Sequence, residues 1–195
     1  MGTHVINSAE TGEWYTPPEL VDLARRCLGG TIDLDPCGTP VSNGIVGARW
    51  FSHDFESDWL HLGHRVFFNP PGTCRKDESG KFSVCGNTGR CSCGLTMRAL
   101  DKTISEAEKG AEVFFLAYNM GGILRRLGER LHDYLVVCSI AIPSKRIAFL
   151  DPTTLKPKRG TNVDSAFLFI TPTHAGHRRF REECERVGCS VWRQD

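Results

Sequence analysis

The sequence predicts an α/β layer sandwich built around a largely parallel sheet. Three observations lead there. Helical and strand-like hydrophobic patterns alternate along most of the chain. The strand-like runs at Val66–Phe68 and in AEVFFLAYN are continuously apolar, as strands covered on both faces are. Two predicted strands end in proline-containing corners, DLDPCG and FFNPPG, and ligands of such sheets sit beyond the carboxyl ends of the strands.

The first predicted helix covers PPELVDLARRCLGG. Pro17 and Pro18 suit its first turn, Leu20, Leu23, Ala24 and Leu28 recur at helical spacing, and Gly29–Gly30 stop it. TIDLDP reads as a short strand ending at Asp35–Pro36, and a Gly/Asn/Pro-rich connection leads to the strand RVFFNPP. After a long segment, LTMRALDKTISEAEKG returns to helix and AEVFFLAYN to strand. MGGILRRLGERLHDY is the next helix, YLVVCSIAI and DSAFLFITP are late strands, and HRRFREECERVG is a short charged helix.

A chain of 195 residues suits a single domain spanning 1–195, with a cysteine-rich insertion at 73–94. A net charge of +1 neither demands nor excludes nucleic acid, because a basic face can coexist with overall balance. The opening MGTHVINSAETGEWYTPPEL lacks the apolar core of a signal peptide, and no apolar run has membrane-span length. The expectation is a cytosolic protein. Nine cysteines, an odd number, argue against a complete disulfide framework.

The corner FFNPPG has a specific chemical use. An exocyclic amine on a purine or pyrimidine is a poor nucleophile because its lone pair is delocalised into the ring. Accepting hydrogen bonds from both of its N–H groups draws the nitrogen toward tetrahedral geometry and frees the lone pair. The side-chain oxygen of Asn69 is one such acceptor and the backbone carbonyl of Pro70 the second. Proline before proline is held extended, and Pro71 has no N–H, so that carbonyl is fixed with few competing partners. Asn-Pro-Pro also occurs wherever a strand has to stop, so its company decides between the two readings.

That company is ordered. EWYTPPELVDLARRCLGG–TIDLDPCG, ARWFSHDFESDWL, RVFFNPPG, KRIAF and DSAFLFI together resemble the phage-type DNA N-6-adenine methyltransferase family, from about Glu13 to Ile170. The resemblance implies a Rossmann-like S-adenosylmethionine-dependent methyltransferase fold, double-stranded DNA as partner, and a setting in a bacterial host cytoplasm. It implies that Trp14, Tyr15, Thr16 and Pro17 lie against the methionine end of the cofactor, and that Asp33, Asp35, Pro36 and Cys37 hold that end. It places Asp58 near the adenosine and Asn69, Pro70, Pro71 and Gly72 at the catalytic corner. Lys145, Arg146 and Phe149 then belong near the target base or its strand. By the residues alone, Asp54 competes with Asp58, and Asp33 and Asp35 serve equally well as turn caps.

Gly72 departs from the pattern, because amino-methyltransferases commonly carry an aromatic there to stack on a flipped base. Tyr118 or Trp14 is then the candidate to grip the base. The departure keeps open other amine targets (cytosine N4, RNA, a protein glutamine) and a lapsed enzyme that only binds nucleic acid. Cys74, Cys85, Cys91 and Cys93 follow as C-x10-C-x5-C-x-C. Four thiolates can close a structural zinc site, but the paired C-x2-C knuckles are missing, so zinc and a loop of reduced cysteines both stand. With Arg75, Lys76, Lys81 and Arg90 this insert is expected to touch nucleic-acid phosphates, as is the loop bearing Lys156, Lys158 and Arg159.

Overall fold

The computed structural model describes residues 14–71, 94–118, 120–130, 137–157 and 165–193. Gly72 and the cysteine set Cys74, Cys85, Cys91 and Cys93 lie outside the described residues, and with them the zinc expectation.

Among the described residues the first helix is α1 (Pro18–Cys27), and the Pro17 carbonyl before it takes the N–H groups of Leu20 and Val21. Its apolar residues Leu20, Val21, Leu23, Ala24 and Cys27 are buried. Strand β1 (Leu34–Asp35) follows, then α2 (Pro40–Val46), β2 (Trp50–Phe51) and β3 (Arg65–Phe68). The second half runs α3 (Leu95–Glu108), β4 (Glu112–Tyr118), α4 (Met120–Arg130), β5 (Val137–Pro143), β6 (Ser165–Thr171), α5 (His174–Arg186) and β7 (Cys189–Arg193).

Three of these elements were absent from the sequence expectation. Helix α2 is rich in turn-formers, yet Thr39 and Ser42 form a reciprocal capping box and Pro40 takes the first helical position. β2 is only Trp50–Phe51, and β7 follows α5 after one turn through Gly188 at φ +82°.

The seven strands form one sheet in the order β2-β1-β3-β4-β6-β5-β7. The ladders β1/β2, β1/β3 and β3/β4 are parallel, whereas β4/β6, β5/β6 and β5/β7 are antiparallel. The fold is therefore α/β, but the sheet is mixed rather than largely parallel. The reason is that β6 inserts between β4 and β5 in the reverse direction, and β7 reverses again at the edge. Side-chain alternation sends Val66 and Phe68 to one face and Phe67 to the other. The first face packs Trp59, Val113, Phe115 and Leu168 with Leu100 and Ile104 of α3 and Ile123 of α4. The second packs Phe114, Phe167 and Phe169 with Leu20 and Ala24 of α1 and Phe180 of α5. Helices thus cover both faces, which accounts for the unbroken apolar runs in the strands. Among the described residues no helix is long and apolar enough to cross a membrane.

From β1 the chain moves outward to β2 and then returns to the other side of β1 to lay down β3. The carboxyl ends of β1 and β3 therefore flank a switch in strand order, the place where open α/β sheets form a crevice.

Candidate functional site

The two proline corners are neighbours because β1 and β3 pair in parallel, with Leu34 opposite Val66. Asp35 ends β1 and Asn69 follows β3, so both emerge at the same end of the sheet. Pro36 and Pro70 are buried, and Cys37, Asn69 and Pro71 are half-buried.

The Asn69 amide is held on both sides. Its Nδ2 donates to the Trp14 carbonyl at 3.0 Å and to Thr16 Oγ1 at 3.3 Å. The Trp14 carbonyl can only accept, which fixes the amide with Oδ1 pointing the other way. That oxygen accepts the Tyr118 hydroxyl proton at 2.5 Å. Burial pushes the Tyr118 phenol well above its ordinary pKa, so it stays a donor. An amide oxygen has two lone pairs, and Tyr118 takes one of them.

The segment that supplies Trp14 and Thr16 is itself anchored. Tyr15 forms an isolated antiparallel bridge with Leu150, and the Tyr15 hydroxyl lies 3.5 Å from Thr39 Oγ1. The bridge also seats Phe149, buried with its ring 5.6 Å from that of Tyr118. Five residues far apart in sequence, Trp14, Thr16, Asn69, Tyr118 and Phe149, therefore meet at the ends of β3 and β4. Lys145 and Arg146 are exposed on the turn after β5, which runs in the same direction as β4 and delivers them to this end of the sheet.

At the β1 corner, Asp35 is 4% exposed, and Oδ1 accepts the Cys37 backbone N–H at 3.1 Å. Among the described residues no cation reaches it. Burial raises its pKa to about 7, with the Cys37 N–H working against that rise. The Cys37 thiol is pushed far up, first by burial and then by the charges of Asp35 and Asp54. Gly38 sits so close to Phe51 that a Cβ there would lie 2.7 Å from the phenylalanine Cβ and 3.0 Å from Asp35 Oδ2. The Asp35 carbonyl accepts the Ser52 N–H at 3.0 Å, tying β2 and its Asp54 turn to the same corner.

Two expected site residues lie elsewhere. Asp33 stands opposite Arg65 at the amino end of β3, four residues before Asn69 and so roughly 13 Å from it along the strand. Its carboxylate takes the Arg65 guanidinium at 3.0 and 3.2 Å and the backbone N–H groups of His64 and Arg65. Burial opposes its ionisation, yet these Arg65 and His64 contacts hold its pKa below the ordinary value. Asp58 is 65% exposed, faces His61 Nδ1 at 3.9 Å, and its charge acts on Lys109 at the far end of α3. Of the two competing carboxylates, Asp54 is the one beside the β1 corner. A cavity of about 350 Å³ lined by Asp33, Arg49 and Arg65 also opens at the amino ends of the strands, away from Asn69.

Sequence reading missed Leu150, Phe51 and Gly38. Phe51 and Gly38 lie in ARWFSHDFESDWL and DLDPCG, segments that carry the resemblance without a role for either residue, and the Tyr15–Leu150 bridge joins segments 135 residues apart in the chain. Among the described residues no group of three His, Cys, Asp or Glu side chains is arranged to hold a metal ion. Comparison with protein-family models, with curated proteins and with solved structures gives no match to this chain.

Proposed function

We propose that the protein is an S-adenosylmethionine-dependent methyltransferase of Rossmann-like fold, acting on the exocyclic amine of adenine in double-stranded DNA. The observation that carries this reading is the oriented Asn69 amide. Its nitrogen is committed to Trp14 and Thr16, and its oxygen keeps one lone pair free of Tyr118 beside the Pro70–Pro71 corner. Asn69 Oδ1 and the Pro70 carbonyl then accept the two N–H bonds of the amine, which localises its lone pair for attack. Preorganised acceptors of this kind need no reorganisation at the moment of reaction.

S-adenosylmethionine, when bound, supplies the electrophilic methyl group on a sulfonium centre. The β1 corner fits its amino-acid end: Asp35 is a buried carboxylate with one backbone donor and no cation among the described residues, which suits an ammonium group. Asp54, in the turn after β2 and acting on Cys37 at the same corner, would accept from ribose hydroxyls. Lys145 and Arg146, exposed after β5, are offered to the phosphates of the target strand. Phe149 packs its ring at a tilt against that of Tyr118, and this aromatic pair beside Asn69 is the candidate to grip the target base.

Two measurements test the reading together: calorimetric binding of S-adenosylmethionine, and mass spectrometry of nucleosides from DNA incubated with protein and cofactor. N6-methyl-2′-deoxyadenosine that disappears in Asn69→Ala, with cofactor binding retained, is the expected result. Absence of cofactor binding would sink the proposal, and a different methylated base would move the target while leaving the chemistry.

A further inference from the structure

The cavity at the amino ends of the strands shares no residue with the Asn69 corner. Its volume of about 350 Å³ falls in the size class of small-molecule pockets, roughly 300–1,000 Å³. The register of the parallel strands builds it. Leu34 stands opposite both Trp50 and Val66, so one residue earlier Arg49, Asp33 and Arg65 lie abreast across the three strands. Side-chain alternation turns this row away from the face of Leu34 and Val66, toward α1, which adds Arg25 from its last turn. Part of the wall is bare backbone, at Gly30 after α1 and Gly47 after α2, with φ of +103° and +61°. A Cβ on Gly30 would meet no atom within 4 Å, so that wall borders open space.

Donors and acceptors are unequal here. Asp33 is the only carboxylate among the described residues that line the cavity, and both its oxygens are taken. Oδ1 accepts from Arg65 Nη2, and Oδ2 from Arg65 Nε and the backbone N–H groups of His64 and Arg65. Arg25 is fixed from behind, Nη1 on Asp22 at 2.6 Å and Nη2 on the Val46 carbonyl at 2.7 Å. A guanidinium carries five N–H donors, so Arg25 and Arg65 keep some for another partner. Arg49 is exposed, and its side chain makes no hydrogen bond or ion pair among the described residues. Three guanidiniums against Asp33 and Asp22 leave the site positive, with donors to spare and its one acceptor group spent.

We propose that this cavity binds a small phosphate monoester. Arg49 takes two phosphate oxygens with its planar fork, and Arg25 and Arg65, already oriented by their own partners, donate to the others. A monoester carries about −1.5 to −2 charges near neutral pH, against one for a nucleic-acid phosphodiester, and so suits three guanidiniums better. The organic part of the ester occupies the open space beside Gly30.

The test is a titration of the isotope-labelled, full-length protein with ribose 5-phosphate, inorganic phosphate or ribose, following the backbone amide signals of Gly30 and Gly47. Both phosphate probes are expected to shift these signals saturably, and ribose to leave them in place. Arg49→Gln should weaken binding of ribose 5-phosphate by about tenfold, the scale of one charge-assisted contact. Arg125→Gln removes the same charge from an exposed position on α4, across the sheet, and should change nothing. Thermal unfolding of both variants confirms that each is folded. The proposal is overturned if neither phosphate probe moves the two signals at millimolar concentration, or if Arg125→Gln weakens binding as much as Arg49→Gln. It is also overturned if a short DNA duplex saturates the same shifts at lower concentration than ribose 5-phosphate, which would assign these arginines to a DNA-binding face.

Discussion

Tyr15 and Leu150 exchange both of their backbone hydrogen bonds, at 3.1 and 2.8 Å, and so clasp the segment before α1 to the segment after β5. The clasp matters because the residues on either side of Tyr15 are those that hold the Asn69 amide. A residue in the first tenth of the chain therefore positions a group just beyond the third strand, through a contact made near the last quarter.

Thr16→Val tests that positioning. Valine keeps the shape of this buried side chain and removes one of the two acceptors of Asn69 Nδ2. The expected loss of stability is about 1 kcal/mol by chemical denaturation. Methyl transfer should fall roughly tenfold or more in single-turnover rate, since small misplacement of a catalytic group is costly. An unchanged rate would separate Thr16 from the chemistry.

Tyr118→Phe removes the donor to Asn69 Oδ1 and leaves the ring contact with Phe149 in place. Stability should fall by about 1 kcal/mol, since a partly buried hydrogen bond is lost without opening a cavity. The rate of methyl transfer should fall while the KM for DNA holds, because the hydroxyl orients Asn69 and the ring keeps the wall. A rise in KM alone would instead assign Tyr118 to base contact.

The two corners were legible in the sequence because proline and glycine punctuate strands in ways that do not depend on distant partners. The buried runs Val66–Phe68 and Val113–Ala117 were legible for a similar reason, since continuous apolarity reports cover on both faces. The insertion of β6 between β4 and β5 was not, because strand order is set by ladders between residues far apart, such as Phe115 with Leu168. Asp33 shows the same limit within the site. It stands two residues from Asp35, yet the Arg65 guanidinium and the His64 and Arg65 backbone N–H groups hold it at the amino end of β3. Spacing identified a pair of carboxylates; only the fold distinguished the paired one from the one without a cation.

Asp54 and Asp58 separate by the same reasoning. Asp54 acts on Cys37 at the β1 corner, whereas Asp58 is exposed beside His61 and acts on Lys109. Asp54→Asn is expected to weaken S-adenosylmethionine binding by about tenfold, the scale of one hydrogen bond to a charged acceptor. Asp58→Asn should leave it unchanged. Calorimetric titration of both variants decides the matter, and the reverse ranking would return the adenosine contact to Asp58.

Asp35 makes the stability of the protein depend on pH. Its folded pKa of about 7 lies above the ordinary 3.8 because burial disfavours the charged form. Between those values the unfolded chain has released this proton while the folded protein retains it. The stabilisation is therefore complete below the lower value and is lost as pH rises through the upper one. The shift corresponds to a change on the order of 4 kcal/mol across the window. Asp35→Asn cannot ionise, so its stability relative to the native protein should improve steadily as pH is raised from about 4 to about 8. Urea denaturation at intervals across that range measures it, and parallel curves for the two proteins would refute the assignment. A bound ammonium group reverses the balance by favouring the carboxylate. Cofactor binding near neutral pH should then release a proton, seen as a calorimetric enthalpy that varies with the ionisation heat of the buffer. Its affinity should weaken as the medium is acidified below the Asp35 pKa, and an affinity independent of pH would place the ammonium away from Asp35.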